Sequence, residues 1–203
     1  MTRKRRMETP ARAFQRLMAE VRACRLCAVA LPHGPRPVLQ AAPSARLLIA
    51  GQAPGRRVHE SGRPFQDASG ERLREWLGME EEVFYDPAQV AILPMGFCYP
   101  GTGYSGDLPP RPECAPVWRK RLLAALPDIR LTVVIGKYAQ AWHLGGHVAA
   151  NLTATVRAWR DFGPSIMPLP HPSPRNNLWL RRNPWFRREV LPELRRRVAL
   201  ALL

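Results

Sequence analysis

No apolar run in this chain is long enough to span a bilayer, and none of signal-peptide length follows the basic start Thr2-Arg3-Lys4-Arg5-Arg6. A membrane-spanning or exported protein is therefore not expected, and the cytoplasm is the expected compartment. Acidic residues are scarce, with 16 Asp and Glu against 31 Lys and Arg and a net charge of +15. That imbalance attracts polyanions through phosphate contacts and counterion release, which makes nucleic acid the expected partner. The arginines bunch at the ends and near the motifs below, so the charge is read as functional rather than as an aid to solubility. Cysteine is sparse, four in 203 residues, and a reducing compartment argues against two structural disulfides. Repeats, low-complexity tracts and linkers are also missing. Residues 1–203 thus read as one domain, with 1–9 as a basic tail and a monomer as the expected state.

What is present is a 46% apolar content, enough for an ordinary core. Phe14, Leu17, Met18 and Val21 recur at helical spacing between Pro10 and Ala23, predicting an amphipathic helix that delivers Cys24 and Cys27 at its end. A proline-rich, extended stretch follows through Pro32, Pro35, Pro37 and Pro43. Four short apolar runs, Leu47 to Ala50, Val90 to Leu93, Leu131 to Ile135 and Ile166 to Leu169, predict strands of a buried parallel sheet. Helical stretches are expected over Gly70 to Leu77, Ala115 to Leu126, Lys137 to Leu144, Leu152 to Trp159 and Pro184 to Leu200. Alternating strands and helices give an α/β fold, three αβα layers around a mostly parallel four-stranded sheet.

Polar motifs sit directly after the first, second and fourth strands of that frame, where parallel sheets gather ligands. The first strand runs into Gly51-Gln52-Ala53-Pro54-Gly55, a turn whose glycines admit close backbone approach. Gly62-Arg63-Pro64-Phe65-Gln66-Asp67-Ala68-Ser69-Gly70 places an aromatic ring and a carboxylate just before a helix. Pro170-His171-Pro172-Ser173-Pro174-Arg175-Asn176 follows the last strand and carries one His and one Arg on a rigid loop. The four cysteines form a C-x-x-C pair, Cys24 and Cys27, and two distant singles, Cys98 and Cys114. Such thiolates suit an iron-sulfur cluster or a zinc ion alike, either of which would tie distant segments together.

These elements in this order resemble the uracil-DNA glycosylase superfamily, most closely its iron-sulfur families four and five, from Cys24 to the helix after Asn177. The resemblance implies hydrolysis of the N-glycosidic bond of a flipped-out deaminated base in DNA base excision repair, with uracil the default base. It also implies a 4Fe-4S cluster on Cys24, Cys27, Cys98 and Cys114, zinc being the alternative. Phe65, in the segment similar to the family's G-R-P-F, would stack on the base. His171 would donate a hydrogen bond to the departing base. Asp67, in a segment that looks like the F-T-G-D-P-S-G of family five, would position water and stabilise the cationic sugar, or serve only as a helix cap.

Gln52 replaces the acidic residue of the family's G-E-A-P-G turn and could bond to base or water. Ala53 stands where family one uses a catalytic Asp, and Pro94 stands where family four reads uracil with an Asn. Gly51, Ala53, Met95 and Gly96 are expected around the base, the last two reading it through backbone groups. Arg175, with Asn176, Asn177 and Leu178, would enter the gap in the duplex, and Arg56, Arg57, Arg181 and Arg182 would meet phosphates. Ala53 and Pro94 also make conceivable an alternative, a non-catalytic DNA-binding iron-sulfur protein of the same fold.

Overall fold

The computed structural model describes residues 9–104 and 106–203; apart from Thr9, the basic tail lies outside the described residues. Helix α1 (Pro10–Arg22) starts where the Thr9 side chain accepts a hydrogen bond from the Arg12 amide at 3.4 Å, with Pro10 in the first turn, where no N–H is needed. After the extended proline segment come strand β1 (Leu47–Ala50), helices α2 (Arg56–Ser61), α3 (Ala68–Leu77) and α4 (Glu81–Phe84), and strand β2 (Val90–Ile92). A short hairpin, β3 (Thr102–Gly103) and β4 (Gly106–Asp107), precedes α5 (Cys114–Ala124). The remainder runs β5 (Leu131–Ile135), α6 (Gly136–Leu144), α7 (Leu152–Arg157), β6 (Ile166–Leu169), α8 (Asn177–Arg182) and α9 (Leu191–Leu202).

The central sheet has the order β2-β1-β5-β6, and every neighbouring pair is parallel. Successive residues of β1 point to opposite faces. Leu47 and Ile49 meet Leu73, Trp76 and Leu77 of α3 and Leu194 and Val198 of α9. Leu48 meets the Phe14, Leu17, Met18 and Val21 stripe of α1 and Trp118 and Leu122 of α5. Both faces are covered, which is why β1 is apolar throughout rather than alternating. The chain thus has the expected three-layer α/β fold.

The edges are handled by ordinary devices. Gln40 covers β2 by exchanging backbone hydrogen bonds with Ile92 and donating its side-chain amide to the Phe84 and Val90 carbonyls. Pro168 lies in β6, an edge strand, where a missing N–H is tolerated.

The expected last helix is not one piece. A wide π-type turn over Phe186–Val190 precedes α9, because Pro192 has no N–H to give to the turn before it. The stretch expected over Leu152 to Trp159 is α7 followed by a 3-10 turn, Trp159–Phe162. Helices α2, α4 and α8 and the hairpin were not legible, being too short for a period to show.

Strand order decides where a ligand can sit. The chain goes from β1 to β2 on one side and returns to place β5 on the other, so the loops after β1 and β5 part at the carboxyl edge and leave a crevice.

Candidate active site

A cavity of about 230 Å³ opens at that carboxyl edge, on the side of β1 that faces β2. The turn after β1 lines it with Gly51, Gln52, Ala53 and Gly55; the approach to α3 adds Phe65 and Asp67; Pro94 comes from the loop after β2. His171, Ser173 and Arg175 enter from the loop after β6, and Asp107 from the hairpin. The three motifs, distant in sequence, therefore share one wall. Gln52 and His171 also line a second, larger cavity of about 720 Å³, together with Lys137, Asn151, Asn176 and Trp179.

Asp67 sits at the head of α3, where Oδ1 accepts the Gly70 N–H at 2.9 Å. That bond satisfies one orphan donor of the helix and fixes the carboxylate; Oδ2 accepts no hydrogen bond among the described residues. Capping and facing the cavity are thus compatible. Two residues earlier, Phe65 has φ 54°, unique for a non-glycine among the described residues and costing about 1–2 kcal/mol. Neighbours hold it there. Its ring meets Phe84 edge-on at 6.2 Å, and a side chain on Gly51 would meet the ring at 3.4 Å. A side chain on Gly70 would collide with the Phe65 carbonyl, so this glycine is what lets α3 begin so close to the strained residue.

His171 is half-buried. Burial holds its pKa below the ordinary histidine value, against the opposing pull of Asp67 and Asp107, so the ring is neutral near pH 7. Nδ1 accepts the Ser173 N–H at 3.2 Å, which leaves the proton on Nε2 as a donor. Two neighbours fix the loop, and only Arg72 of them was unseen from sequence. Arg72 of α3 donates to the Pro172 and Ser173 carbonyls, and Asn176 Nδ2 donates to the His171 carbonyl at 2.7 Å. Asn176 therefore braces the loop. Arg175 follows on the 3-10 turn Pro174–Asn176, exposed, and its guanidinium packs where a side chain on Gly106 would stand.

Met95 and Gly96 correct an expectation, because neither lines the cavity. Met95 is packed with Ala50, Val134, Ala139 and Leu144, while Gly96 faces the cysteines. Their amides are already spent on the Gly51 and Gln52 carbonyls at 2.9 and 3.0 Å, so they have no N–H left for a base. Beneath this loop lies Arg119, 1% exposed, whose Nη1 donates to the Leu93 and Pro94 carbonyls. Its other face meets His143 Nε2. Arg56, Arg57, Arg181 and Arg182 are exposed and outside the cavity, and Arg56 pairs with Glu60 of its own helix at 3.0 Å.

The four cysteines, all free thiols, line one pocket with Leu26, Leu31, Arg111 and Trp118. Two polar atoms on residues of this wall, Arg111 Nε and Trp118 Nε1, are buried and have no hydrogen-bond partner among the described residues. Such orphaned donors fit a bound group rich in sulfur acceptors. Burial pushes the Cys98 thiol up to about 11 and Cys114 up to about 12, so without a bound cation both are protonated and poor nucleophiles. Among the described residues no three His, Cys, Asp or Glu side chains are grouped as they would be around a single ion.

The topology and the cavity define an α/β protein with a candidate site at the carboxyl edge of a parallel sheet. A family model described as the uracil DNA glycosylase superfamily matches residues 39–195, which includes all of the cavity lining but Val38. The chain belongs to that superfamily, which generally hydrolyses N-glycosyl bonds in base excision repair. No helix among the described residues is long and apolar enough to cross a membrane.

Proposed function

We propose that the protein is a monofunctional DNA glycosylase that removes a flipped-out deaminated base, uracil by default, and carries a 4Fe-4S cluster on Cys24, Cys27, Cys98 and Cys114. The observation that carries the activity is that Asp67, His171, Phe65 and Gln52 line one cavity. A base inside a duplex is out of reach, so it is rotated into this cavity, where Phe65 stacks on it. As the C1′–N bond breaks, the electron pair moves onto the base, and His171 Nε2–H donates to the base oxygen that gains charge. The Asp67 carboxylate, held by the Gly70 N–H, stabilises the cationic sugar. Gln52 bonds to the base or to the water. Among the described residues the cavity is lined by carboxylates, a histidine and an arginine and by no lysine, a set suited to simple hydrolysis.

Arg175 and Leu178, the latter 49% exposed, stand on the turn and helix beyond His171 and would fill the gap in the duplex. Arg57, Arg181 and Arg182 supply phosphate contacts. Four thiols lining one pocket, with two unpartnered donors on its wall, support a sulfur-rich cluster there, and zinc on the same thiols is the alternative. When bound, the cluster would staple α1 and the loop after β2 to α5.

Oligonucleotides containing uracil or hypoxanthine, treated with alkali after incubation, test the activity. The wild type should give strand scission only after alkali, and His171→Ala should slow base release by about 10²–10³-fold. Intact strands for every deaminated base, with tight DNA binding, would instead support the non-catalytic binder. A brown preparation containing iron is expected; a colourless one containing zinc would overturn the cluster.

A further inference from the structure

The turn after β1 lacks the carboxylate that would assist hydrolysis, because Ala53 occupies its position. The hairpin supplies one from outside. Asp107 lines the same cavity as Asp67 and His171, and its Oδ2 lies 3.3 Å from where a side chain on Gly55 would begin, so the carboxylate is seated against that turn. Its neighbour Gly106 has φ 126°, a conformation side chains rarely adopt, and lets the hairpin backbone press against the Arg175 guanidinium. Cys98 and Cys114 bracket this loop in sequence and line a common pocket, so the two ends of the loop come together.

Asp107 is otherwise unemployed. Its carboxylate accepts no hydrogen bond and makes no ion pair among the described residues, whereas Asp67 is tied to the helix it caps. The titratable and charged groups facing it are Arg175 and His171 from the loop after β6 and Asp67 from the head of α3. Lost hydration raises the Asp107 carboxyl above its ordinary value; Arg175 and His171 oppose the rise and Asp67 adds to it. A carboxylate so placed is a better proton acceptor than an exposed one.

Resting on the glycosylase reading, we propose that Asp107 is a second catalytic carboxylate, working with Asp67 to stabilise the cationic sugar and taking the proton from the attacking water. In this step the C1′–N bond breaks with its electron pair going to the base. The water oxygen bonds to C1′, one water proton passes to Asp107, and the released base anion is protonated by solvent.

The test compares wild type, Asp107→Asn and Asp67→Asn in two assays. Single-turnover base release by Asp107→Asn should fall by about 10²–10⁴-fold. The decline of the wild-type rate towards acid pH should be missing from its residual activity, with thermal midpoint and DNA affinity unchanged. The second assay needs no turnover: binding to a duplex whose deoxyribose is replaced by a cationic pyrrolidine is compared with binding to its neutral tetrahydrofuran counterpart. Wild type should prefer the cation by at least about 10-fold, and Asp107→Asn should cut that preference at least about threefold, leaving the part that Asp67 supplies. An undiminished preference in Asp107→Asn, or none in wild type, overturns the assignment. A wild type without turnover that still prefers the cation through Asp107 would sink the glycosylase reading and leave the carboxylate assignment standing.

Discussion

Asp67 joins stability and chemistry in one side chain, and the two can be separated by substitution. Asparagine caps a helix about as well as aspartate but carries no charge, while alanine does neither. Asp67→Ala should lose about 1 kcal/mol of stability through the Gly70 N–H left unpaired. Asp67→Asn should keep the wild-type thermal midpoint and still release base at least about 10²-fold more slowly. Equal activity in Asp67→Asn and wild type would reduce Asp67 to a cap. Phe65 shows another residue-scale compromise, since a strained backbone is kept because the ring is wedged between Phe84 and the bare face of Gly51. The positive φ could not be read from the sequence, where G-R-P-F gives the ring but not its backbone.

At the scale of elements, α5 and α6 are joined by the buried contact of Arg119 with His143, and α5 supports the loop after β2 through the same guanidinium. Burial, with the Arg119 charge adding to it, pushes His143 down to about 3. The unfolded chain takes up that proton near pH 6.5, so the folded state binds fewer protons below it. The contribution is fully present above about pH 6.5 and is lost as pH falls towards 3, by up to about 1.4 kcal/mol per unit. His171, lowered in the same sense, adds to the slope. His143→Gln keeps an acceptor for Arg119 and removes the titration. Urea midpoints measured between about pH 7 and 5 should therefore fall less steeply for His143→Gln than for wild type. Identical slopes would mean that His143 is not buried as a neutral ring.

For the whole molecule, the net charge of +15 makes binding to DNA steeply dependent on salt. Arg57, exposed on α2 beside the cavity turn, is predicted to contact one phosphate. Arg57→Ala should lower the slope of log affinity against log salt by about 0.7 on single strands and about 0.9 on duplex, with uracil and normal DNA affected alike. An unchanged slope would make Arg57 a surface charge with no phosphate contact. Arg56 is a weaker candidate, because its pairing with Glu60 already offsets its charge.

Hydrophobic pattern settled the frame of this protein. Leu47 to Ala50 and Leu131 to Ile135 are apolar in every or nearly every position, which only strands buried on both faces require, and the sheet follows. The turn after β1 and the loop after β6 were legible as site elements because their glycines and prolines are local punctuation, readable without a partner. Asp107, Arg72, Arg119 and the orphaned Trp118 Nε1 were not, because each takes its meaning from a segment far away in the chain. Met95 and Gly96 show the same limit from the other side: their backbone amides looked available until the β1 turn was seen to accept them. Local spacing determines which elements form. Only the tertiary structure decides which polar groups meet, since a donor or a charge acts over a few ångströms of space, whatever its distance along the chain.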